Sequence, residues 1–157
     1  MSNLRVGIGV DAHAFADGVP LVLGGVSFDS PRGLAGHSDG DVITHALIDA
    51  VLGAAGLGDI GSLFPSDSST PAGVSSLDLL DDALAQVRAA GYAVVNADCV
   101  LIGEEPRIAS HRAEMAELLS ARVGAPVNVR ATTTDRLGFA GRGEGLAAEA
   151  AALVEKP

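Results

Sequence analysis

Read for the spacing of its apolar positions, the chain switches repeatedly between a period of two and a period near 3.6. In residues 4–15, "LRVGIGVDAHAF", Val6, Ile8 and Val10 share one face and predict a strand. Residues 20–28, "PLVLGGVSF", form a second β segment broken at Gly24–Gly25, the mark of a hairpin or bulge. A helix is expected over 38–57, where Val42, Ala46, Asp49–Ala50 and Gly53 recur at helical spacing and Ser38 or Asp39 stands ready to cap. Residues 58–75 follow neither period and read as loop. An amphipathic helix over 75–91 carries its acidic residues early and stops at Gly91. Then come a strand (92–105), a helix (108–124) and a strand entering a polar loop (126–134). Residues 143–156 fit both periods: alanine favours a helix, yet Leu146, Ala148, Ala150, Ala152 and Val154 alternate as a strand would. The order β-β-α-α-β-α-β-(β or α) implies an α+β or α/β domain with helices packed over one sheet.

Composition narrows the function. At 157 residues the chain is about one domain, with an apolar fraction of 48% and only 3% aromatics, so its core is built from Ala, Val, Leu and Ile. The net charge is −10, with Lys156 the single lysine beside nine arginines. That balance speaks against nucleic-acid binding, which needs a basic surface to release counterions. A nucleotide ligand stays open, because metal ions and backbone N–H groups hold phosphates without a basic patch. The single cysteine, Cys99, leaves no internal disulfide and fits a reducing, cytoplasmic setting; mid-strand among apolar neighbours, it reads as core. No secretory h-region follows Arg5, and no run reaches the ~18 apolar residues of a membrane span. His111 falls in a charged helix and reads as a solvated residue.

Three clusters carry candidate chemistry. Asp11 and His13 lie at i, i+2 on one strand face, and His45 follows on the first helix. A carboxylate and two imidazoles match a three-ligand zinc site with an open position. The plainer alternative makes Asp11 a turn residue and His45 a core histidine. His37, Ser38, Asp39 and Asp41 form the second cluster, at the start of that helix. They can cap it, or leave its N–H groups and dipole to a phosphate with His37 and Ser38 as donors. Asp59, in the turn-rich "GDIG", can accept from substrate hydroxyls. The third cluster, "ATTTDRLGFAGRGEG" (131–145), offers hydroxyls and backbone N–H groups to a diphosphate, with Asp135 able to hold a hard cation; its glycine spacing and missing lysine exclude a P-loop. A flexible surface loop is the competing reading.

The stretches "GVDAHAF", "GHSDGDVITHALIDAVLGAAGLGDIG", "LFPSD", "GYAVVNAD" and "ATTTDRLGFAGRGEG", in this order and spacing, resemble the 2-C-methyl-D-erythritol 2,4-cyclodiphosphate synthase family of the non-mevalonate isoprenoid pathway. The resemblance implies one α+β domain over 1–157, with a mixed β-sheet covered by helices on one face, and it resolves 145–155 as a strand. Some members carry a fused cytidylyltransferase domain, for which 157 residues leave no room. It implies a homotrimer with the sheets around the threefold axis and active sites between subunits. The implied activity is that of a phosphorus–oxygen lyase. The 2-phosphate of 4-diphosphocytidyl-2-C-methyl-D-erythritol 2-phosphate attacks the β-phosphorus, CMP leaves, and a cyclic diphosphate forms.

By the same resemblance Asp11, His13 and His45 hold Zn²⁺, or another divalent transition metal, and Asp135 helps hold Mg²⁺ or Mn²⁺. His37 and Thr133 are the implied catalytic residues. Ser38, Asp59, Gly61, Phe64 and Asp67 face the methylerythritol side. Gly103, Glu104, Glu105, Pro106, Arg107, Ile108, Thr132 and Thr134 form the cytidine side, with Phe139 and Arg142 nearby. Arg142 and Glu149 line the trimer's central channel, where an isoprenoid diphosphate is an implied ligand. The chain departs from the family's pattern at Ser66-Asp67-Ser68 in place of "DTD", at Asp135 in place of Glu, and at the charged pair Glu104-Glu105. Two other functions fit the residues less well. One is a zinc hydrolase using metal-bound water, with His37 or Asp41 as base. The other is an isoprenoid-diphosphate binding module with a structural metal.

Overall fold

A computed structural model describes residues 3–157. The chain runs β1 (Asn3–Asp17), β2 (Leu21–Leu23), β3 (Val26–Phe28), β4 (Arg32–Leu34), α1 (Val42–Ala55), α2 (Ile60–Leu63), α3 (Ser76–Ala89), β5 (Ala93–Ile102), α4 (Arg112–Val123), β6 (Val127–Thr132), α5 (Gly138–Gly141) and β7 (Gly145–Lys156). Five strands form one mixed sheet in the order β4-β1-β7-β5-β6, antiparallel except for the parallel β5–β6 pair. The segment broken at Gly24–Gly25 is a hairpin of β2 and β3. The alanine-rich tail is a strand, paired along its length between β1 and β5. Three short elements arise where loop or no break was expected: β4 at the sheet edge, α2 within 58–75, and α5 after the threonines. No helix among the described residues is long and apolar enough to cross a membrane.

Small residues set how helix and sheet meet. On β1, the positions facing the helices are Gly7, Gly9, Asp11 and His13. A Cβ on Gly9 would lie 1.9 Å from the Ala46 carbonyl oxygen, and one on Gly7 would lie 2.0 Å from that of Ala50. The alanine row Ala46, Ala50, Ala54 therefore rests directly on the strand. Ala148, Ala150 and Ala152 of β7, opposite Asp11, Gly9 and Gly7, continue this small-residue floor. Leu47, Leu80, Leu84, Met115 and Leu119 fill the space among α1, α3 and α4 and are fully buried. Cys99 is buried in this core, and burial pushes its thiol up to about 12, as expected of an inert residue.

The other face of β1 reverses the usual pattern. Val6, Ile8 and Val10, the apolar set that announced the strand, and Leu4 in line with them are 51–68% exposed. All three long helices cover one face of the sheet, and this apolar stripe lies on the other.

Candidate active site

The metal-type cluster is assembled by the close approach just described. Asp11 and His13 project from β1 toward α1, and His45 stands on the first turn of α1, where the alanine row touches the strand. Asp11 Oδ2 lies 2.8 Å from His13 Nε2 and 3.1 Å from His45 Nδ1, and the two nitrogens are 3.2 Å apart. His45 is buried, and Asp11 and His13 are half-buried. Among the described residues these three form a cluster of potential metal ligands. Asp135, exposed on a loop of left-handed backbone (φ 53°), joins no such group.

Hydrogen bonding decides what the three atoms offer one another. His13 Nδ1 lies 2.6 Å from the Ala35 carbonyl, which can only accept, so Nδ1 carries the proton and Nε2 offers a lone pair. His45 Nε2 lies 2.8 Å from Ser76 Oγ and 3.0 Å from Ser38 Oγ. The Ser76 hydroxyl donates to Asp39, so its oxygen accepts from His45 Nε2–H and leaves Nδ1 with a lone pair. Three lone pairs thus converge within 3.2 Å, where only a cation or a shared proton relieves their repulsion. The spacing is close to the ~3.3 Å edge of a tetrahedron with ligands ~2.0 Å from zinc. The donor set fits a divalent transition metal. Without one, the Asp11 carboxyl responds to opposing influences. Burial pushes it up, but the hydrogen bonds and charge of His13 and His45 outweigh burial and bring it down to about 2. His13 is raised, first by its hydrogen bond to Asp11.

The cluster opens into a cavity of about 170 Å³ that His37, Ser38, Gly61 and Phe64 also line. His37 Nε2–H donates to the Thr70 carbonyl at 2.6 Å, so its Nδ1 can donate to a ligand only as the imidazolium. Ser38 Oγ receives Gly40 N–H at 3.2 Å and faces His45 Nε2–H, which frees its own proton for the cavity. Asp59 caps α2, its Oδ1 accepting from Ser62 N–H at 2.8 Å, and this hydrogen bond lowers its exposed carboxyl. Asp67 accepts from Ser69 in the adjoining turn, and Ser66 faces the cavity instead. Ile60, Thr70 and Leu79, which sequence reading passed over, complete the wall.

One sequence expectation fails here. The cap of α1 is neither Ser38 nor Asp39 but Asp41, fully buried, which accepts from Thr44 N–H (3.1 Å), Thr44 Oγ1–H (2.6 Å), Gly24 N–H (2.9 Å) and Gly25 N–H (2.8 Å). Burial pushes its carboxyl up and these four donors oppose it. The start of α1 is therefore capped by the chain's own carboxylate. Asp39 instead reaches across to the start of α3, where its Oδ2 accepts from Ser76 N–H at 3.0 Å.

The threonine side is built differently. Gly103, Glu104, Pro106, Arg107 and Ile108 line a second cavity of about 260 Å³ with Thr132 and Thr133, at the ends of β5 and β6. It shares no lining residue with the first. Thr132 donates to the Thr133 carbonyl (3.1 Å), Thr134 to that of Leu137 (2.7 Å), and Arg136 N–H to Glu104 Oε1 (3.1 Å). Glu105 lies outside this cavity and is exposed. Phe139 is 44% exposed, Arg142 pairs with Glu144 at 2.7 Å, and Glu149 is exposed on β7 opposite Val10.

A mixed sheet with helices on one face and an Asp–His–His cluster at the sheet–helix seam defines an α+β protein with a candidate metal site. A sequence model of the YgbB family matches residues 4–155, and the chain belongs to that family. It is 52% identical over 162 residues to the 2-C-methyl-D-erythritol 2,4-cyclodiphosphate synthase of Rubrobacter xylanophilus, covering 99% of this chain and 98% of that protein. It is 48% identical to the synthase of that name from Escherichia coli, with 98% of each chain covered. Among solved structures, a 2-C-methyl-D-erythritol 2,4-cyclodiphosphate synthase in its CDP-bound form superposes with a TM-score of 0.86 at 36% identity, covering 96% of this chain and 99% of that one. The bifunctional IspDF of Campylobacter jejuni superposes at 0.95 with 37% identity; all of this chain matches 43% of that longer one.

Proposed function

We propose that this protein is a 2-C-methyl-D-erythritol 2,4-cyclodiphosphate synthase. It converts 4-diphosphocytidyl-2-C-methyl-D-erythritol 2-phosphate into the cyclic diphosphate and CMP. The observation that carries this reading is the set of three converging lone pairs at the mouth of a cavity, in a chain about half identical to synthases over nearly its whole length. A phosphate oxygen of the 2-phosphate bonds to the β-phosphorus as the bond from that phosphorus to the CMP oxygen breaks. The reaction is intramolecular, so catalysis is mainly positioning and neutralisation of charge.

The residues divide that work. Asp11, His13 and His45 would hold the transition metal, which supplies a Lewis-acidic open position to a phosphate oxygen; zinc suits this ligand set. Ser38 donates its free hydroxyl proton, and His37, when protonated, donates from Nδ1. Ile60, Phe64 and Leu79 give the carbon skeleton an apolar wall, and Gly61 in that wall and Asp59, two residues before it at the cap of α2, meet the hydroxyls. Thr132 and Thr133, with the 103–108 loop, receive the nucleotide, and Asp135 would help hold Mg²⁺ or Mn²⁺, which would supply positive charge to neutralise the diphosphate. The hydrolase reading loses one of its two candidate bases, since Asp41 is sealed from the cavity by four donors; His37 still lines the cavity, and the reaction products separate the two readings.

The protein works as a homotrimer in this reading. Two features support that. The stripe Leu4, Val6, Ile8 and Val10 needs a cover, and the two half-sites of one chain share no residue. A second and third copy packed on the open sheet face would cover the first and join the second. Arg142 and Glu149 then face the threefold axis, where an isoprenoid diphosphate could sit. The setting is cytoplasmic, on one domain spanning 1–157. Phosphorus NMR of the protein with the cytidyl substrate, Zn²⁺ and Mg²⁺ tests the activity. Equimolar CMP and cyclic diphosphate are expected; CMP with an open, hydrolysed product would move the site to the hydrolase. Light scattering on a sizing column tests the trimer, and a monomer would refute it.

A further inference from the structure

Ser76 is fully buried at the first position of α3, outside every cluster the sequence marked. Both of its donors go to one carboxylate. Ser76 Oγ–H donates to Asp39 Oδ1, and Ser76 N–H donates to Asp39 Oδ2 at 3.0 Å. Asp39 is held in turn, its Oδ1 also accepting from Asp41 N–H at 3.1 Å and its own N–H donating to Val74 at 3.0 Å. With its proton committed, the Ser76 oxygen can only accept at the 2.8 Å contact with His45 Nε2. The opposite imidazole tautomer would press two lone pairs together at that distance. Ser38 Oγ, at 3.0 Å, can act as donor or acceptor and does not decide the tautomer by itself.

We propose that Ser76, anchored by Asp39, is a positioning residue that fixes the Nε2–H tautomer and ring orientation of His45 and so presents its Nδ1 to the metal. The arrangement does for His45 what a backbone carbonyl, Ala35, does for His13. It places a hydroxyl between the carboxylate and the imidazole of the familiar carboxylate–histidine–metal relay. The alternative role is purely structural: Asp39 capping α3 through Ser76 N–H, which a hydroxyl-free residue would serve equally.

The proposal rests on the metal reading of the cluster but not on the cyclisation, so its readout is zinc affinity, separate from turnover. In wild-type apoprotein labelled with ¹⁵N at histidine, at alkaline pH where the imidazoles are neutral, His45 is expected to carry its proton on Nε2. A proton on Nδ1 would overturn the proposal. Ser76→Ala keeps the N–H to Asp39 and removes only the hydroxyl. Its zinc affinity, from competition with a chromophoric chelator, is expected to fall about 10–100-fold, with the His45 tautomer mixed and apoprotein melting little changed. Ser76→Thr, which restores a hydroxyl, is expected to recover affinity. Wild-type affinity in Ser76→Ala, or loss that Ser76→Thr does not recover, would overturn the proposal and leave Ser76 only the structural role of donating its N–H to Asp39. If Ser76→Ala does not fold, the wild-type tautomer decides alone.

Discussion

The metal-type cavity and the threonine-side cavity use their polar side chains in opposite ways. Around Asp11, His13 and His45, side chains are buried or half-buried and nearly every polar atom has a fixed partner: Ala35 on His13, Ser76 on His45, Thr70 on His37. Around Thr132–Asp135 and Gly103–Arg107, most side chains are exposed and the loop's own backbone supplies the partners. The first region is ordered by the core it grows from. The second is ordered by its own turns and presents surface to whatever docks there. Preorganisation belongs where charge must be placed against a small group; an open loop suits a ligand such as a nucleotide, met through backbone groups.

The largest effect should come from breaking the ordered side. Asp11→Ala or His45→Ala is expected to abolish stoichiometric metal binding and lower turnover by roughly 10³-fold or more, since Lewis-acid stabilisation is worth several kcal/mol. Metal content by atomic emission and single-turnover kinetics check this, and a sizing column should show the assembly unchanged. Collapse of the assembly would make the metal structural. Gly9→Ala comes next. Its Cβ would fall 1.9 Å from the Ala46 carbonyl, so α1 must lift from the sheet and carry His45 away from Asp11. A loss of about 3 kcal/mol is expected in urea unfolding, with weaker metal binding and an intact nucleotide side. A wild-type midpoint would show that the seam gives way cheaply.

A proton experiment sharpens the contrast. Asp11 is lowered from an ordinary 3.8 to about 2, so its contribution to apoprotein stability is present above pH 3.8 and lost as pH falls toward 2. His13 is raised above 6.5, so its contribution is full below 6.5 and lost as pH rises through the raised value. Apoprotein should therefore gain most from this pair between about pH 4 and 6.5. Added zinc competes with the proton, so the metal's stabilising increment should grow as pH rises above that window. Calorimetric melting across pH, with and without zinc, reads both slopes; parallel curves would separate the cluster from the metal. The smallest effect belongs to the open loop. Glu105→Gln removes one negative charge from an exposed position. It should tighten CDP binding by less than about 1 kcal/mol and leave stability within about 0.5 kcal/mol, measured by titration calorimetry and urea unfolding. A larger gain in affinity would place Glu105 against the phosphates.

Much of this site was legible in the chain. Asp11 and His13 had to share a face because strand side chains alternate, and a helix within 38–57 had to follow. The features that escaped are those whose partners are distant in sequence. Asp39 looked like a cap for the helix beside it, yet its carboxylate reaches 37 residues ahead to Ser76. Ser76 looked like part of a helix start. Thr70 contributes only a carbonyl, which every residue has. Spacing cannot distinguish a cap for the next helix from a cap for a later one, because both need only a short oxygen-bearing side chain near a free N–H.

By itself the sequence determined the order of the longer elements as far as β6, the shared faces within each and the identity of the residues able to hold a metal, since these follow from local periodicity and side-chain chemistry. Only the tertiary structure decided which face of β1 is the inner one. Val6, Ile8 and Val10 have the apolar side chains, but Gly7 and Gly9 have the space, and α1 with its alanine row settles on the space. The same packing turned the alanine-rich tail into a strand: local propensity permits a helix there, but β1 and β5 each leave an edge that β7 pairs along its whole length. Backbone hydrogen bonds between strands and the fit of small side chains under a helix are non-local quantities, and they placed Asp11, His13 and His45 within reach of one ion.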